Sequence, residues 1–201
     1  MGAAVVGIIG DGWTAVSLAR TEVRSSIERM FVLGIDPGLS RCGYGVVTRR
    51  AGSMVAVAGG VISTDPAVPL PDRLATLSEE LRALVAEFRP GAVVVERVFF
   101  QVNARTAMAT GMAAGVALVA AAQSGCQVAQ YTSNEVKQAL VGYGGATKDQ
   151  VQRMVASVLG LDQPPHPPDV ADALALAACH LTAQPLRRAV ARASTTGEVA
   201  P

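Results

Sequence analysis

Three short apolar runs follow one another between residues 31 and 63, with only a few turn residues between them. They read FVLGID (31–36), CGYGVVT (42–48) and MVAVAGGVIS (54–63), and Pro37-Gly38 closes the first of them. Short apolar runs bounded by turn residues are typical of buried strands. Because the links are short, consecutive strands are expected to pair as an antiparallel meander. This feature narrows the possible folds more than any other in the chain.

After the meander, helix and strand signals alternate along the chain. Apolar residues recur at helical spacing from Leu70 to Phe88, and Pro90-Gly91 stops the pattern. The run AVVVE (92–96) lacks polar alternation, as expected of a strand buried on both faces. The other predicted elements are a helix over 104–123, a strand over 127–131, and helices over 133–140, 148–159 and 169 to about 183, with Ser133 and Thr147 as helix caps. This order predicts an α/β fold in which helices flank a five-stranded mixed sheet whose first three strands are antiparallel.

The 201 residues suffice for one folded domain with appended ends. Residues 1–29 carry charge but little period, and Met30 directly precedes the first strand. We therefore interpret residues 1–29 as a poorly ordered or misannotated N-terminal extension and residues 30–184 as the folded domain. Residues 185–201 are rich in Ala, Ser, Thr and Arg, which predicts a flexible, mildly basic tail.

Composition excludes several classes of protein. Half of the residues are apolar and 16% are charged, which argues against a disordered or collagen-like chain. The net charge of +1 argues against a strongly basic nucleic-acid coat. Cys42, Cys126 and Cys179 are far apart and in no paired spacing, which disfavours a disulfide framework or a zinc ribbon and fits a reducing cytoplasm.

Membrane and targeting signals are weak in this sequence. The N-terminus has a short apolar run but lacks the basic start of a secretory signal. The weakly polar run from Thr106 to Ala122 approaches the length of a membrane span, but it consists mostly of Ala and Gly. A buried or interface helix fits it better, so we predict a soluble cytoplasmic protein that does not enter the membrane.

Four carboxylates occupy positions where functional residues often lie. Asp36 ends the first predicted strand, and Glu96 ends the fourth. Ligands of open α/β sheets gather at the carboxyl ends of strands. Asp169 and Asp172 lie three apart at the start of a predicted helix, and therefore on one face of it. If that helix packs beside the first strand, the four acids converge, and divalent cations such as Mg²⁺ or Mn²⁺ would relieve their repulsion. Two metals can hold the attacking and leaving oxygens of a phosphodiester displacement.

Each acid also has a simpler structural interpretation. Asp36 in the sequence DPG suits a turn, and taken alone this is the favoured explanation. Asp169 suits a helix N-cap after Pro167-Pro168. Glu96 is harder to explain structurally, because it ends an apolar VVVE run. The combination in this element order, rather than any single acid, predicts the metal site.

Two further groups of residues suggest contact with a nucleic acid. Phe99 and Phe100 follow the fourth strand directly, and an aromatic ring there could stack on an unpaired base or simply pack in the core. Lys137 and Lys148 are the only lysines, and both flank the glycine-rich segment 142–147. They could stabilise charge on a phosphodiester or could be solvated surface residues.

The ordered motifs resemble a known family. GIDPG followed by CGYGVV, then VVVERVFF, EVKQALVGYGGATKDQVQRMV and PDVADALALA, closely resembles the RuvC family, which comprises bacterial Holliday-junction resolvases with a ribonuclease H-like fold. The resemblance runs from about Met30 to Ala183. It implies that residues 30–184 are a RuvC-like nuclease domain and that residues 1–29 lie outside the family pattern.

The resemblance also implies a role for each candidate residue. The implied catalytic acids and metal ligands are Asp36, Glu96, Asp169 and Asp172, which would hold two Mg²⁺ ions, with Mn²⁺ able to substitute. Lys137 and Lys148 would lie near the scissile phosphate and bind DNA, and Lys148 would also take part in catalysis. Phe99 would stack on a base near the junction point. Because Phe100 stands beside it, the sequence leaves open which ring acts.

The activity implied by the resemblance is that of a Mg²⁺-dependent crossover junction endodeoxyribonuclease. Such an enzyme makes paired, symmetric nicks in four-way DNA junctions, leaves 5′-phosphate and 3′-hydroxyl ends, and serves homologous recombination and DNA repair. A junction with near two-fold symmetry suggests a homodimer. The helix over 104–123 is the candidate interface, because Gly111 and Gly115 permit close approach. The family context also implies a branch-migration complex of the RuvA–RuvB type as a partner.

Three other classes share parts of this pattern. A ribonuclease H-like nuclease of the YqgF type also opens with a similar strand and aspartate, but it is shorter and lacks the VFF segment. A sugar-kinase or actin-like ATPase places an aspartate in a similar early turn, but it usually needs two lobes and a second glycine-rich phosphate loop. A catalytically idle DNA-binding scaffold would have no need of four intact acids.

Overall fold

The computed structural model describes residues 30–97 and 104–196, and within the last helix it describes side chains as far as Gln184. The elements in chain order are β1 (Val32–Asp36), β2 (Arg41–Arg50), β3 (Ser53–Ser63), α1 (Leu70–Phe88), β4 (Ala92–Glu96), α2 (Ala104–Gln123), β5 (Gln127–Tyr131), α3 (Ser133–Val141), α4 (Lys148–Leu159) and α5 (Pro168–Thr196).

The five strands form one mixed sheet in the order β3-β2-β1-β4-β5. β1, β2 and β3 are antiparallel neighbours, as their short links predicted. β4 and β5 run parallel to β1, because the helices α1 and α2 return the chain to the starting edge before each of them. The predicted five-stranded mixed sheet with three antiparallel strands is therefore confirmed. One consequence matters for function: the carboxyl ends of β1, β4 and β5 lie at the same edge.

Side chains of the strands alternate between two faces, and each face has its own core. On one face, Leu33 and Ile35 pack with apolar side chains of α1 and the alanine-rich side of α2. On the other face, Val32 and Val94 pack with residues of α4 and α5. Because the alternation continues to the end of each strand, Asp36 and Glu96 project from the α5 face.

Glycines in β1 and β2 allow α5 to lie close against the sheet. A Cβ atom added at Gly34 would clash with the backbone oxygen of Ala173, and one added at Gly43 would clash with that of Asp169. Gly43 is also the ladder partner of Asp36. The missing side chains therefore bring the first turn of α5 next to the end of β1.

The helices α3 and α4 both begin with a capping box. Thr147 caps α4, as predicted, by accepting a hydrogen bond from the backbone of Gln150. The predicted cap of α3 was wrong by one residue: Thr132 accepts from the backbone of Glu135, and Ser133 is the first helical residue. The carboxylate of Glu135 reaches back to the backbone N–H of Thr132, and this reciprocal pair favours Thr132 over Ser133.

The last helix is longer than the apolar pattern predicted. α5 continues to Thr196, well past the predicted end at about Ala183. Residues 184–196 include three alanines and three arginines, which favour helix even where no apolar stripe marks it. The assignment of residues 185–201 to a tail outside the nuclease domain stays a prediction. So does the interpretation of residues 1–29, which lie outside the described part of the chain.

Candidate active site

Asp36 and Glu96 are neighbours at the carboxyl edge of the sheet. β1 and β4 are parallel and in register, with Ile35 opposite Val95, so the two acids that follow lie side by side on the α5 face. The Asp36 carboxyl donates a hydrogen bond to Glu96. Burial, followed by repulsion from Glu96 and Asp172, raises the pKa of Asp36 from 3.8 to about 8. Burial also raises the pKa of Glu96 above its usual value. The pair therefore holds a proton at neutral pH when no cation compensates its charge.

The third carboxylate, Asp172, lies in α5 and faces the same site. Lys148 at the start of α4 contacts it, with 2.7 Å between Nζ and Oδ2. This hydrogen bond is the largest of the causes that raise the pKa of Lys148. The side chain of Lys148 is 62% exposed and that of Asp172 is 28% exposed, so the pair lies at the mouth of the site.

The fourth carboxylate, Asp169, lies one helical turn before Asp172. Arg41 at the start of β2 donates to its Oδ2 atom from two nitrogens, Nη2 at 2.8 Å and Nε at 3.2 Å. The charge of Asp169 also reaches Asp36 and contributes to the raised pKa of that residue. The structure thus brings all four sequence-predicted acids to one end of the molecule.

A cleft of about 300 Å³ opens between β1, β4, α3, α4 and α5. Its polar lining consists of Asp36, Glu96, Ser133, Lys137, Lys148 and Asp172. Asp169 lies beside the cleft rather than in its lining. Three acids and two lysines from five elements therefore share one open, charged depression.

The donor set suits hard divalent cations, because carboxylate oxygens are the ligands that Mg²⁺ and Mn²⁺ prefer. Within residues 30–97 and 104–196, no three potential ligands are close enough to enclose a metal as they stand. Two of the acids instead contact cationic side chains, Asp169 with Arg41 and Asp172 with Lys148. Burial is the main cause of the high pKa of Asp36, and repulsion from the three neighbouring acids raises that pKa further.

Two features of the site escaped sequence reasoning. Arg41 was not predicted as a site residue, because nothing in its local sequence distinguishes it from other surface arginines. The glycines of β1 and β2 were taken only as parts of strands. Their recurrence on one face of two adjacent strands was the available signal, since glycine inside a strand often marks a close backbone approach.

Phe99 and Phe100 lie outside the described residues, so their predicted contact with a base stays a prediction. Lys137 lines the same cleft from α3. Lys148 and Lys137 flank the cleft as well as the glycine-rich segment.

The acidic edge of this mixed sheet defines the class of protein: a ribonuclease H-like, metal-dependent nuclease. The fold is similar to that of the yeast mitochondrial Holliday junction resolvase Ydc2, with a TM-score of 0.58 over 76% of this chain and 78% of that chain. Those two sequences are 14% identical, so this likeness concerns the fold alone.

Residues 32–180 match the family model of the crossover junction endodeoxyribonuclease RuvC. The chain belongs to that family. A curated RuvC of Salinispora arenicola is 54% identical over 153 residues, which cover 76% of this chain and 87% of that relative. One of Moorella thermoacetica is 48% identical over 159 residues, covering 79% and 95%.

Solved structures agree with this assignment. Thermus thermophilus RuvC matches with a TM-score of 0.73 and 39% identity, covering 78% of this chain and 96% of that chain. The same protein solved in complex with Holliday junction substrate matches with a TM-score of 0.71 and 37% identity, at the same coverage. The YqgF-type, kinase-like and scaffold interpretations are therefore set aside.

Proposed function

We propose that this chain resolves four-way DNA junctions by metal-dependent hydrolysis of two phosphodiester bonds. The observation that carries the proposal is the cluster of Asp36, Glu96, Asp172 and Asp169 at the carboxyl edge of the sheet, beside Lys148. The match to RuvC of Thermus thermophilus, which was solved with a Holliday junction substrate, supports the choice of DNA. Expected products are a 5′-phosphate and a 3′-hydroxyl, which a ligase can seal during recombination and repair.

Each residue of the cluster has a defined task in this mechanism. Asp36 and Glu96 would supply partly buried oxygens at the ends of β1 and β4, and Asp169 and Asp172 would supply the remaining ligands from α5. These four acids would hold two Mg²⁺ ions, whose chemistry would be to lower the pKa of a water and to stabilise the leaving 3′ oxygen. Lys148 stabilises negative charge that develops on the phosphate. Lys137, which lines the cleft from α3, contacts the DNA backbone.

The identity of the cation is part of the proposal. Carboxylate ligands in an open cleft fit Mg²⁺, which keeps several of its waters when bound by proteins. Mn²⁺ has similar ligand preferences, so it should substitute. We further propose that Phe99, or Phe100 beside it, stacks on a base exposed near the junction centre.

We propose a homodimer with α2 at its interface. Met108, Met112 and Val119 are exposed on one side of this helix, 63%, 36% and 53% respectively. A Cβ at Gly111 or Gly115 would meet nothing within 4 Å, so both glycines also face outward. An exposed apolar stripe interrupted by glycines suits close packing against a second copy. A dimer would present one active site to each of the two strands that must be cut.

α2 also satisfies the length and hydropathy criteria for a membrane span, and it is the one helix among the described residues to do so. Its other side contributes Ala113, Ala117 and Ala121 to the core, however. Core helices of soluble proteins pass the same test. We therefore place the enzyme in the cytoplasm, where a RuvA–RuvB-type branch-migration complex would deliver its substrate.

Cleavage of a labelled synthetic four-way junction with a mobile core tests the proposal directly. A matched linear duplex serves as the substrate control, and each is incubated with Mg²⁺, with Mn²⁺ and with EDTA. Paired symmetric nicks in the junction alone, absent in EDTA, are expected. Cutting of both substrates would indicate a general nuclease, and tight junction binding without cutting in either metal would contradict the assigned chemistry.

A further inference from the structure

Arg41 is held close to the metal-binding acids, yet its head group remains accessible. The guanidinium donates to Asp169 Oδ2 from Nη2 and Nε, at 2.8 and 3.2 Å. Its side chain is nevertheless 52% exposed, compared with 27% for Asp169. An exposed ion pair of this kind is weak and easily exchanged for another partner.

The backbone beneath Arg41 is firmly anchored. Arg41 pairs with Ser63 in the β2–β3 ladder. The turn before it is fixed by Thr64, whose hydroxyl donates to Leu39 O at 2.6 Å, and by Arg73, which donates to Ser40 Oγ at 2.7 Å. The Arg41 head can therefore change partner without any movement of the strand that carries it.

A divalent cation at Asp169 would make the present partnership of Arg41 unfavourable. Such a cation shares the carboxylate and adds two positive charges beside the guanidinium, and like charges at this distance repel each other. Phosphate is the obvious alternative partner, because the planar fork of a guanidinium matches two phosphate oxygens. The substrate under the proposed function brings phosphates to this same edge.

We propose that Arg41 is a phosphate-positioning residue. Its guanidinium pairs with the Asp169 carboxylate until a divalent cation binds there, and Arg41 then contacts the DNA backbone beside the scissile bond. This inference rests on the proposed function for the identity of the phosphate. The competition between Arg41 and the cation, which is the first step, does not depend on the proposed function. Lys148 and Arg41 then flank the site from α4 and from β2.

The first experiment measures Mn²⁺ binding by calorimetry, with no DNA present. Removing the competing guanidinium in R41A should tighten Mn²⁺ binding about two- to fivefold, as expected for loss of an exposed ion pair. R50A is the matched control, because Arg50 is an exposed arginine at the far end of β2, roughly 30 Å along the strand. Unchanged or weaker Mn²⁺ binding in R41A, relative to R50A, would overturn the competition.

The second experiment measures junction affinity at several salt concentrations, in Ca²⁺ and in EDTA, with gels run to detect any cleavage. In Ca²⁺ we expect R41A to lose about tenfold in affinity relative to R50A. The slope of its log affinity against log salt concentration should become shallower by about 1, as expected for the loss of one phosphate contact. In EDTA the two variants should differ less than twofold, because Arg41 is then engaged by Asp169. R41K should recover the salt dependence but not the full affinity, because it keeps the charge and loses the fork.

The outcomes separate this inference from the proposed function. If wild-type protein shows no preference for the junction over duplex, the proposed function fails, while the calorimetry still tests the competition. If wild type prefers the junction and R41A matches R50A in both Ca²⁺ and EDTA, the inference on Arg41 fails alone. An equal loss for R41A in Ca²⁺ and in EDTA would also overturn it, because it predicts a contact that depends on the cation.

Discussion

At the scale of single residues, Asp36 must be ionised to bind a cation, yet its position in the fold disfavours the ionised form. Its carboxyl is largely buried next to Glu96, and burial is the main reason that its pKa rises to about 8. A divalent cation would restore the ionised form, because positive charge nearby favours the carboxylate. The sequence identified the residue, but the environment that sets its charge comes from β4 and α5.

Replacing Asp36 with Asn should abolish junction cleavage while leaving junction binding within a few-fold of wild type. The amide keeps the shape but loses the charge that holds the cation, so the rate should fall by about a thousandfold or more. Single-turnover kinetics measure the loss of cleavage, and an electrophoretic binding assay measures the retained junction binding. D162N, at an exposed acid outside the cleft lining, should cleave normally. Retained cleavage by D36N would contradict the assignment.

The same substitution should stabilise the folded protein in EDTA at neutral pH. The carboxyl of Asp36 has a pKa of about 8 in the folded state against 3.8 as its ordinary value, so the folded state binds more protons between those pH values. Wild-type stability should therefore decrease as pH rises from about 4 to 8. D36N lacks this loss, and its Tm should exceed that of wild type by a few degrees at pH 7.5 and by less at pH 5. A lower Tm for D36N at both pH values would contradict this account.

The three cysteines should react very differently with alkylating reagents. Cys42 is fully buried, and burial raises its pKa to about 12. Cys179 is also buried, whereas Cys126 is partly exposed directly before β5. Only thiolates react, and they need access to reagent. Mass spectrometry should find one iodoacetamide adduct per native chain at pH 8, on Cys126, and three after denaturation. Native labelling of Cys42 would contradict the packing described.

At the scale of elements, the seam between α5 and the β1–β2 pair determines the site. Gly34 and Gly43 let the helix approach, and Asp169 and Asp172 lie in its first two turns. The sequence predicted the helix and both strands, but periodicity does not reveal which helix lies on which strand. The convergence of acids was therefore conditional on a packing contact that the sequence did not specify.

Gly34→Ala should destabilise the protein strongly. The added methyl group would clash with the backbone oxygen of Ala173, and backbone cannot rotate away as a flexible side chain can. We expect a loss of about 3 kcal/mol or more, which corresponds to a fall in Tm of about 6–12 °C. Thermal unfolding followed by circular dichroism measures it.

Gly144→Ala is the control for this prediction, because a Cβ there would meet only the side chain of Gln138 at 3.9 Å. Its Tm should stay within about 2 °C of wild type, as is usual for surface substitutions. Equal Tm values for the two variants would show that α5 does not approach β1 as closely as described.

At the scale of the whole molecule, the outer side of α2 is an apolar surface that remains exposed in the single chain. Met108→Glu places a charge at the most exposed residue of the apolar stripe and should raise the dimer dissociation constant by about a hundredfold or more. Sizing with light scattering at micromolar concentration should then report a monomer. The paired nicks should become independent single nicks.

Val68→Glu is the matched control, because Val68 is a 40% exposed apolar residue in the turn before α1. It should remain dimeric and keep coordinated cutting. A dimer of unchanged strength in Met108→Glu would move the interface away from α2. A wild-type protein that is monomeric at micromolar concentration would contradict the dimer itself.

Local patterns along the chain were sufficient for the elements and for the candidate acids. The meander and the mixed sheet followed from apolar runs and link lengths, because these depend on neighbours in sequence, whereas β2 extends beyond the predicted 42–48 to Arg41–Arg50. Asp36 and Glu96 stood out because each ends an apolar strand. Two predictions of element ends were wrong: the cap of α3 is Thr132, one residue before the predicted Ser133, and α5 extends beyond its apolar stripe to Thr196.

Only the tertiary structure decided how those acids come together and which cationic side chains contact them. Arg41 and Asp169 are 128 positions apart, and their contact depends on glycines that let α5 lie on β2. The pKa of Asp36 likewise depends on burial and on charges from two other elements. Such effects arise from distances in space, which vary independently of spacing along the chain, and for that reason no local pattern encodes them.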